Sequence, residues 1–265
     1  MRKFNLILKI GLSVLIVLIV AISYAWDKNN WHFQLAGQAA NTVPEEVAGA
    51  SFTEADKQTM LKVFTILRKG MSGQQMSIEG TISIKDPQDS AASGTKPFVF
   101  SRDGASYYYA LGEIEMLSLK DIYLVCNHAS KRIIISPAKK VVTPFAAPGD
   151  ELIKTFREDK YELTTSAVGE DSLYVLTCNN HVACKQYSYQ LNMRTGEVHE
   201  LFMRLTDITD PLNAAKDKQI RFTMKSWNLQ NADVRHFQKN KYLRGEKGHF
   251  RPAPAFQQYE IVSSL

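Results

Sequence analysis

Two cysteines and a histidine lie close together in the sequence. Cys178 and Cys184 flank a short polar stretch that contains His181. If the two cysteines face each other across a hairpin, their Cβ atoms come close enough for a disulfide. Thiolate and imidazole are also zinc ligands, and Cys126 or His128 would complete a set, although the spacing matches no standard zinc finger. Of a disulfide, separate thiols and a metal site, the spacing favours the disulfide, and we predict no metal and no cofactor.

The remaining reactive side chains form no catalytic motif. The histidines have the chemistry of general bases, but the sequence contains no G-x-S-x-G, H-E-x-x-H or P-loop pattern. Glu113 and Glu115 are predicted to lie on one solvated strand face. Tyr107, Tyr108 and Tyr109 are typical of a strand whose alternate rings point to opposite faces. We therefore predict a protein that is not an enzyme.

The charge distribution argues against a nucleic-acid partner. The chain has 265 residues, 45% hydrophobic and 22% charged, which is ordinary for a globular protein. Its formal net charge is +5, from 32 Lys and Arg against 27 Asp and Glu. Arg2, Lys3 and Lys9 lie in an N-terminal segment without acids, so the rest carries only 29 − 27 = +2. The basic balance therefore belongs to the N-terminus and predicts no nucleic-acid binding surface.

Residues 1–26 have the pattern of a signal anchor or a signal peptide. A basic start precedes an apolar run from Ile10 to Ile22. Ser23 and Ala25 fit a signal-peptidase site, whereas the run is also close to the length that spans a bilayer. Both alternatives keep the positive charges in the cytoplasm and export the rest, where an oxidising compartment also favours the disulfide. We favour the anchor and predict a periplasmic protein held in the inner membrane by a single N-terminal helix.

The rest of the chain combines an amphipathic helix with many short strands. Residues 27–52 are predicted to be a linker, after which Thr53 and Asp56 have the spacing of a helix N-cap. The helix presents one apolar face at helical spacing, made by Met60, Leu61, Phe64 and Leu67. A second, short helix is predicted over Gly149–Asp159.

From Met76 to Trp227 the apolar residues follow period two, which indicates strands, one of them over Ser106–Leu117. No connection is long enough for repeated βαβ crossovers. The fold class is therefore α+β, with one extensive antiparallel sheet in a domain over residues 53–228. Residues 229–265 are predicted to be a basic C-terminal tail that ends in a short strand and offers a surface to a protein partner.

The order of elements resembles the LolA/LolB-like family of outer-membrane lipoprotein carriers. In that family an amphipathic helix precedes an antiparallel half-barrel. Asp121–Ile135 resembles the middle hairpin of the family, and Tyr161–Trp227 resembles its later strands. The resemblance implies a half-barrel covered by the helix, whose concave face binds a lipid or a lipoprotein acyl chain. The residues expected to line that apolar cavity are Phe64, Leu67, Phe98 and Phe100.

Two functions of different classes follow from these observations. The first is a non-enzymatic cell-envelope protein that binds an apolar ligand in the concave face of the sheet. The alternative is a membrane-tethered structural or interaction subunit of an envelope assembly, indicated by the anchor and the C-terminal tail. A hydrolase is a third option and would need a histidine placed beside a nucleophile.

The charges before the apolar run predict the topology of the chain. Because Arg2, Lys3 and Lys9 stay in the cytoplasm, a reporter enzyme fused after Leu265 should be active only on the exported side. A pair of fusions, one reporting periplasmic and one reporting cytoplasmic location, measures this directly. Activity of the cytoplasmic reporter would contradict the envelope location.

Overall fold

The computed structural model describes residues 52–138, 150–246 and 249–264. The predicted anchor and all but the last residue of the predicted linker lie outside these ranges. Among the described helices, none combines the length and hydropathy that crossing a membrane requires.

Two α-helices lie where the sequence predicts them. Helix α1 spans Glu54–Met71 and begins with a capping box: Asp56 N–H donates to Thr53 Oγ1, and Thr53 N–H donates to the Asp56 carboxylate. The side chains of α1 that are fully or almost fully buried are Met60, Val63, Phe64 and Leu67. Helix α2 spans Asp150–Glu158 and buries Ile153 and Phe156 in the same core.

In the described part of the chain, twelve strands form one sheet and two further strands form a small ribbon. The strands of the sheet are β1 Gln75–Lys85, β2 Gly94–Asp103, β3 Ser106–Leu111, β4 Ile114–Ser118, β5 Tyr123–Asn127, β6 Arg132–Ser136, β7 Glu162–Val168, β8 Asp171–Thr177, β9 Cys184–Leu191, β10 Val198–Leu205, β11 Lys218–Asn228 and β14 Glu260–Ser263. The ribbon pairs β12 Leu243–Arg244 with β13 Arg251–Pro252. Short 3-10 turns occupy Ala214–Lys216, Val234–Phe237, Lys239–Lys241 and Pro254–Phe256.

The sheet consists of two meanders joined at their inner strands. Its order is β14-β6-β5-β4-β3-β2-β1-β11-β10-β9-β8-β7. The first meander runs outward from β1 to β6, and the second runs inward from β7 to β11, which pairs with β1. Every pair is antiparallel except β14 with β6. The extensive antiparallel sheet of an α+β fold is thus confirmed.

One predicted strand is divided. The structure ends β3 at Leu111 and begins β4 at Ile114, with Gly112 in the turn at a φ of 53°. A left-handed backbone is readily accessible to glycine, which explains why the chain reverses there.

The two faces of the sheet carry two separate cores. We call the face that packs against α1 and α2 the inner face, and the opposite one the outer face. On β2, Phe98 and Phe100 belong to the inner core, whereas Val99 between them packs against the outer core. This is the alternation expected of a strand that is covered on both sides.

The outer face of β3–β6 is covered by the C-terminal segment. Tyr242, Leu243, Ala253 and Phe256 are buried there, in one cluster with residues of β3–β6. Strand β14 then adds the last strand of the sheet, as the sequence predicts. The described part of residues 229–265 is therefore packed on the sheet along much of its length, although the sequence predicts a tail there.

The packing of α1 on the inner face predicts a contrast between two of its residues. Phe64 is fully buried and its ring contacts the rings of Phe156 and Tyr189, whereas Lys57 lies at the surface beside Glu54. Phe64→Ala should lower the free energy of unfolding by about 3–5 kcal/mol because it removes a large side chain and leaves a cavity. Lys57→Ala should change it by about 0.5 kcal/mol or less. Denaturant unfolding of both variants measures the contrast, and equal small losses would show that α1 is not packed on the sheet.

Candidate functional site

A row of apolar side chains crosses the inner face from the core to the edge of the sheet. The pairing register places one residue from each of six neighbouring strands opposite the next. These residues, which we call the apolar row, are Phe100, Tyr109, Met116, Val125, Ile134 and Val262. Residues directly opposite each other in a sheet point to the same face, so the row is continuous.

The apolar row becomes more exposed along its length. Phe100 is 1% exposed, Tyr109, Met116 and Val125 are half-buried, and Ile134 and Val262 are each 44% exposed. The inner core contains residues of β1, β2 and β8–β11 but, within the described residues, none of β4, β5 or β6. The described helices therefore cover one part of the inner face and leave the part over β4–β6 outside their core.

The side chains that flank the row include both apolar and polar groups. Leu111, Ile114 and Asn127 lie on one side, and Tyr107, Ser118 and Tyr123 lie on the other. Burial raises the pKa of Tyr109 to about 12 and also raises that of Tyr123, so both phenols are neutral at physiological pH. The Tyr123 hydroxyl donates to Met116 Sδ at 3.3 Å. Among the described residues, charged side chains lie at the two ends of the row: Arg102 flanks Phe100 on β2, and Arg132 pairs with Glu260 at the edge.

The four residues predicted to line a cavity lie in the inner core. Phe64 and Leu67 come from α1, and Phe98 and Phe100 come from β2 beneath it. Phe100 also begins the apolar row, but the row residues of β4–β6 were missed by the sequence analysis. The apolar residues at every second position of those strands were the available signal. Only the pairing register shows which of the two alternating sets of residues lies on the same face as Phe100. The lining role of the four residues stays a prediction.

The two cysteines of the predicted disulfide lie where β8 ends and β9 begins, and no cysteine is bridged in the structure. Cys178 Sγ donates to the carbonyl of Asp159, and Cys184 Sγ donates to that of Gln186. The pairing of β8 with β9 places Cys178 opposite Lys185, because Cys178 N–H donates to the Lys185 carbonyl. Cys184 is therefore offset by one residue from the position opposite Cys178, and the disulfide between them stays a prediction.

Both ring nitrogens of His181, which lies between the two cysteines, have partners within the fold. Its Nδ1 accepts the backbone N–H groups of Ala183 and Cys184, and its Nε2 lies 3.0 Å from Asp159 Oδ2. A nitrogen that accepts two N–H donors has no lone pair left for a metal. No group of three or more metal-ligating side chains occurs in the described part of the chain.

A polar cluster on the outer face fastens the C-terminal segment to the sheet. Glu115 Oε1 lies 2.8 Å from His128 Nε2. Its Oε2 accepts from Lys241 Nζ at 2.8 Å, from the Tyr108 hydroxyl at 2.9 Å and from the Tyr242 hydroxyl. We call these five residues the Glu115 cluster. Because Lys241 and Tyr242 belong to the C-terminal segment, the carboxylate links that segment to β3 and β4.

The Glu115 cluster holds its carboxylate in the ionised form. Burial would raise the pKa of Glu115, but hydrogen bonds from Lys241, Tyr242 and His128 lower it to about 2. Burial raises the pKa of both Tyr108 and Tyr242, so both remain hydrogen-bond donors. The sequence prediction of a solvated face is therefore wrong for Glu115, although Glu113 in the preceding turn is exposed. The distant partners Lys241 and Tyr242, brought close by the fold, account for the difference.

Solved structures provide neighbours of this fold, whereas no family model and no curated protein sequence matches the chain. An uncharacterised conserved protein from Thermus thermophilus matches with a TM-score of 0.38 and 7% identity, over 78% of this chain and 99% of that one. A LolA superfamily protein from Nitrosomonas europaea matches with a TM-score of 0.28 and 11% identity, over 66% and 97%. A DUF1329 family protein from Desulfovibrio piger matches with a TM-score of 0.28 and 9% identity, over 69% and 97%. The family that the order of elements resembles is thus among these neighbours.

The depressed pKa of Glu115 predicts a pH-dependent contribution to stability. A fall from 4.5 to about 2 corresponds to about 3 kcal/mol of stabilisation at neutral pH. Glu115→Gln should therefore lower the free energy of unfolding by about 3 kcal/mol at pH 7. Because the folded pKa is the lower one, the difference from the wild type should shrink as the pH falls from 4.5 towards 2.

Denaturant unfolding of both proteins across this pH range measures the difference. Glu113→Gln is the matched control and should differ from the wild type by about 0.5 kcal/mol or less. A loss for Glu115→Gln that does not change with pH would contradict the role of its charge.

Proposed function

We propose that the chain is a non-enzymatic binding protein that holds a lipid or another acyl chain along the apolar row. The observation that carries this proposal is the continuity of the row from buried Phe100 to exposed Ile134 and Val262. Five steps between neighbouring strands cover about 24 Å, which exceeds the roughly 15 Å that acyl chains cover in one leaflet of a bilayer. An extended acyl chain lying across the strands would contact several neighbouring residues at the exposed end of the row, where Ile134 and Val262 lie.

The energetics of the exposed end favour such a ligand. Met116, Val125 and Ile134 each keep apolar surface outside the buried cores of the described residues. Covering apolar surface stabilises a complex by about 25 cal/mol per Å². At the edge, Arg132 and Glu260 offer charged groups beside which a polar headgroup would remain in water.

Binding fits the reactive side chains better than catalysis does. Both ring nitrogens of His128 are engaged, one by Glu115 and the other by the Tyr259 hydroxyl at 2.8 Å. Both ring nitrogens of His181 are also engaged. The ring nitrogens of these two histidines are therefore occupied by hydrogen bonds within the fold, which leaves neither nitrogen open to act as a general base.

The location of the protein is part of the same proposal. The apolar run at residues 10–22 behind a basic start supports export and anchoring in the inner membrane by one N-terminal helix. A protein tethered there would hold the apolar row near the source of lipids. A protein partner for residues 229–265 would have to contact the exposed side of that segment, because Tyr242, Leu243 and Phe256 are buried against the sheet.

Photolabelling with a lipid analogue tests the proposed function. Membranes that contain the full chain would be incubated with a diazirine analogue of palmitic acid and irradiated, and the labelled peptides would be identified by mass spectrometry. We expect label on β3–β6 peptides. Ile134→Gln should reduce labelling about tenfold at limiting probe, because it replaces an apolar contact worth about 1.4 kcal/mol or more by a polar one.

Ile208→Gln is the matched control, since Ile208 is 83% exposed in the loop between β10 and β11, away from the row. Its labelling should equal that of the wild type. Label confined to other parts of the described chain, or equal loss in both variants, would contradict binding along the apolar row.

A further inference from the structure

The two edges of the sheet differ in how open they are to another strand. The edge at β14 is four residues long, and Glu260 at its start is paired with Arg132. The edge at β7 is seven residues long and pairs only with β8 among the described residues. Six of its seven residues are exposed, and only Leu163 packs against the inner core. Strand β7 therefore presents a long row of backbone groups to its surroundings.

After Glu162, strand β7 lacks the features by which proteins protect an edge. Natural edge strands carry charges, proline or bulges that prevent another strand from pairing. After Glu162, the strand reads Leu-Thr-Thr-Ser-Ala-Val, without a charge or a proline. Its pairing with β8 runs through all seven residues without a bulge. Nothing in this strand opposes the addition of a further antiparallel strand.

We propose that β7 pairs with β7 of a second copy of this chain, antiparallel and about a two-fold axis through Thr165. Leu163 faces the inner core, so Thr165 and Ala167 lie on the same face by alternation. Opposite residues of an antiparallel pair must lie on the same face of the sheet. A two-fold axis through one residue places that residue opposite its own copy, so this condition is met along the whole strand. Thr165 is the midpoint of β7, so this register pairs every residue of the strand.

The side chains of β7 complement one another in this register. Leu163 lies opposite Ala167, and Thr164 lies opposite Ser166, so the pairs join apolar with apolar and hydroxyl with hydroxyl. Glu162 lies opposite Val168, and no two like charges meet within the strand.

Pairing of two copies would extend the sheet without covering the apolar row. The row ends at β6 and β14, the far edge from β7. The proposal is therefore independent of ligand binding, and either of the two can fail alone.

Cysteine cross-linking in membranes tests the pairing with the full chain. In the proposed register the two Thr165 Cα atoms lie about 4.5–5.5 Å apart, within the range that a disulfide bridges. Thr165→Cys should therefore form a covalent dimer on mild oxidation, seen by non-reducing electrophoresis and abolished by reductant. The matched control is Thr223→Cys, because Thr223 is equally classed as exposed but lies on β11, which is paired on both sides. The wild type gives the background from the native thiols.

The register has its own test. Thr164→Cys alone places the two thiols about 8 Å apart at the Cα atoms and should cross-link poorly, whereas co-expression of Thr164→Cys with Ser166→Cys should give a strong dimer. Thr165→Lys would set two ammonium groups face to face and should abolish a dimer detected by chemical cross-linking, while Thr223→Lys should retain it.

The proposal is overturned if Thr165→Cys stays monomeric in protein with wild-type circular dichroism, or if it cross-links no better than Thr223→Cys. A disulfide from position 165 to a different protein would also overturn it, because it would identify another occupant of the edge.

Discussion

The pairing of β1 with β11 is the constraint on which the rest of the structure depends. It joins two meanders that would otherwise each have an exposed inner edge. The register shifts between Glu79 and Gly80, where the strands approach closely. A Cβ at residue 80 would lie 2.2 Å from the Thr223 carbonyl oxygen and 2.9 Å from the Phe98 ring, so the close approach requires glycine. With this register set, the inner-facing side chains of both meanders share one core under α1.

A sheet of this width needs other segments packed on both of its faces. In this chain, different segments cover different parts of the two faces. Helices α1 and α2 cover the inner face around β1, β2 and β8–β11, and the C-terminal segment covers the outer face of β3–β6. The Glu115 cluster fixes the second cover through charge-assisted hydrogen bonds, which are stronger than those between neutral groups. Because the outer face of β3–β6 is packed, the proposed ligand site on their inner face lies on strands that are held in place from the other side. The apolar row crosses that supported region.

The proposed ligand site and the proposed pairing edge lie at opposite ends of the sheet. The apolar row approaches the edge formed by β14, and β7 forms the other edge. Two chains paired through β7 would present two apolar rows on the same side of one continuous sheet, because the two-fold pairing keeps the inner faces together. The two functions that the sequence leaves open, ligand binding and participation in an assembly, would then coexist in one molecule.

Local patterns in the sequence determined the elements, whereas the tertiary structure decided how they meet. The capping box at Thr53 and Asp56, the apolar face of α1 and the period-two strands could be predicted because each depends on neighbours within a few residues. The separation of Cys178 from Cys184 depended on a one-residue register, which alternation along a single strand does not specify. The ionised Glu115 depended on Lys241 and Tyr242, more than a hundred residues away in the chain. The apolar row likewise exists only once six strands are in register. Each strand contributes a single residue to it, and the sequence of one strand does not specify which strands will pair with it.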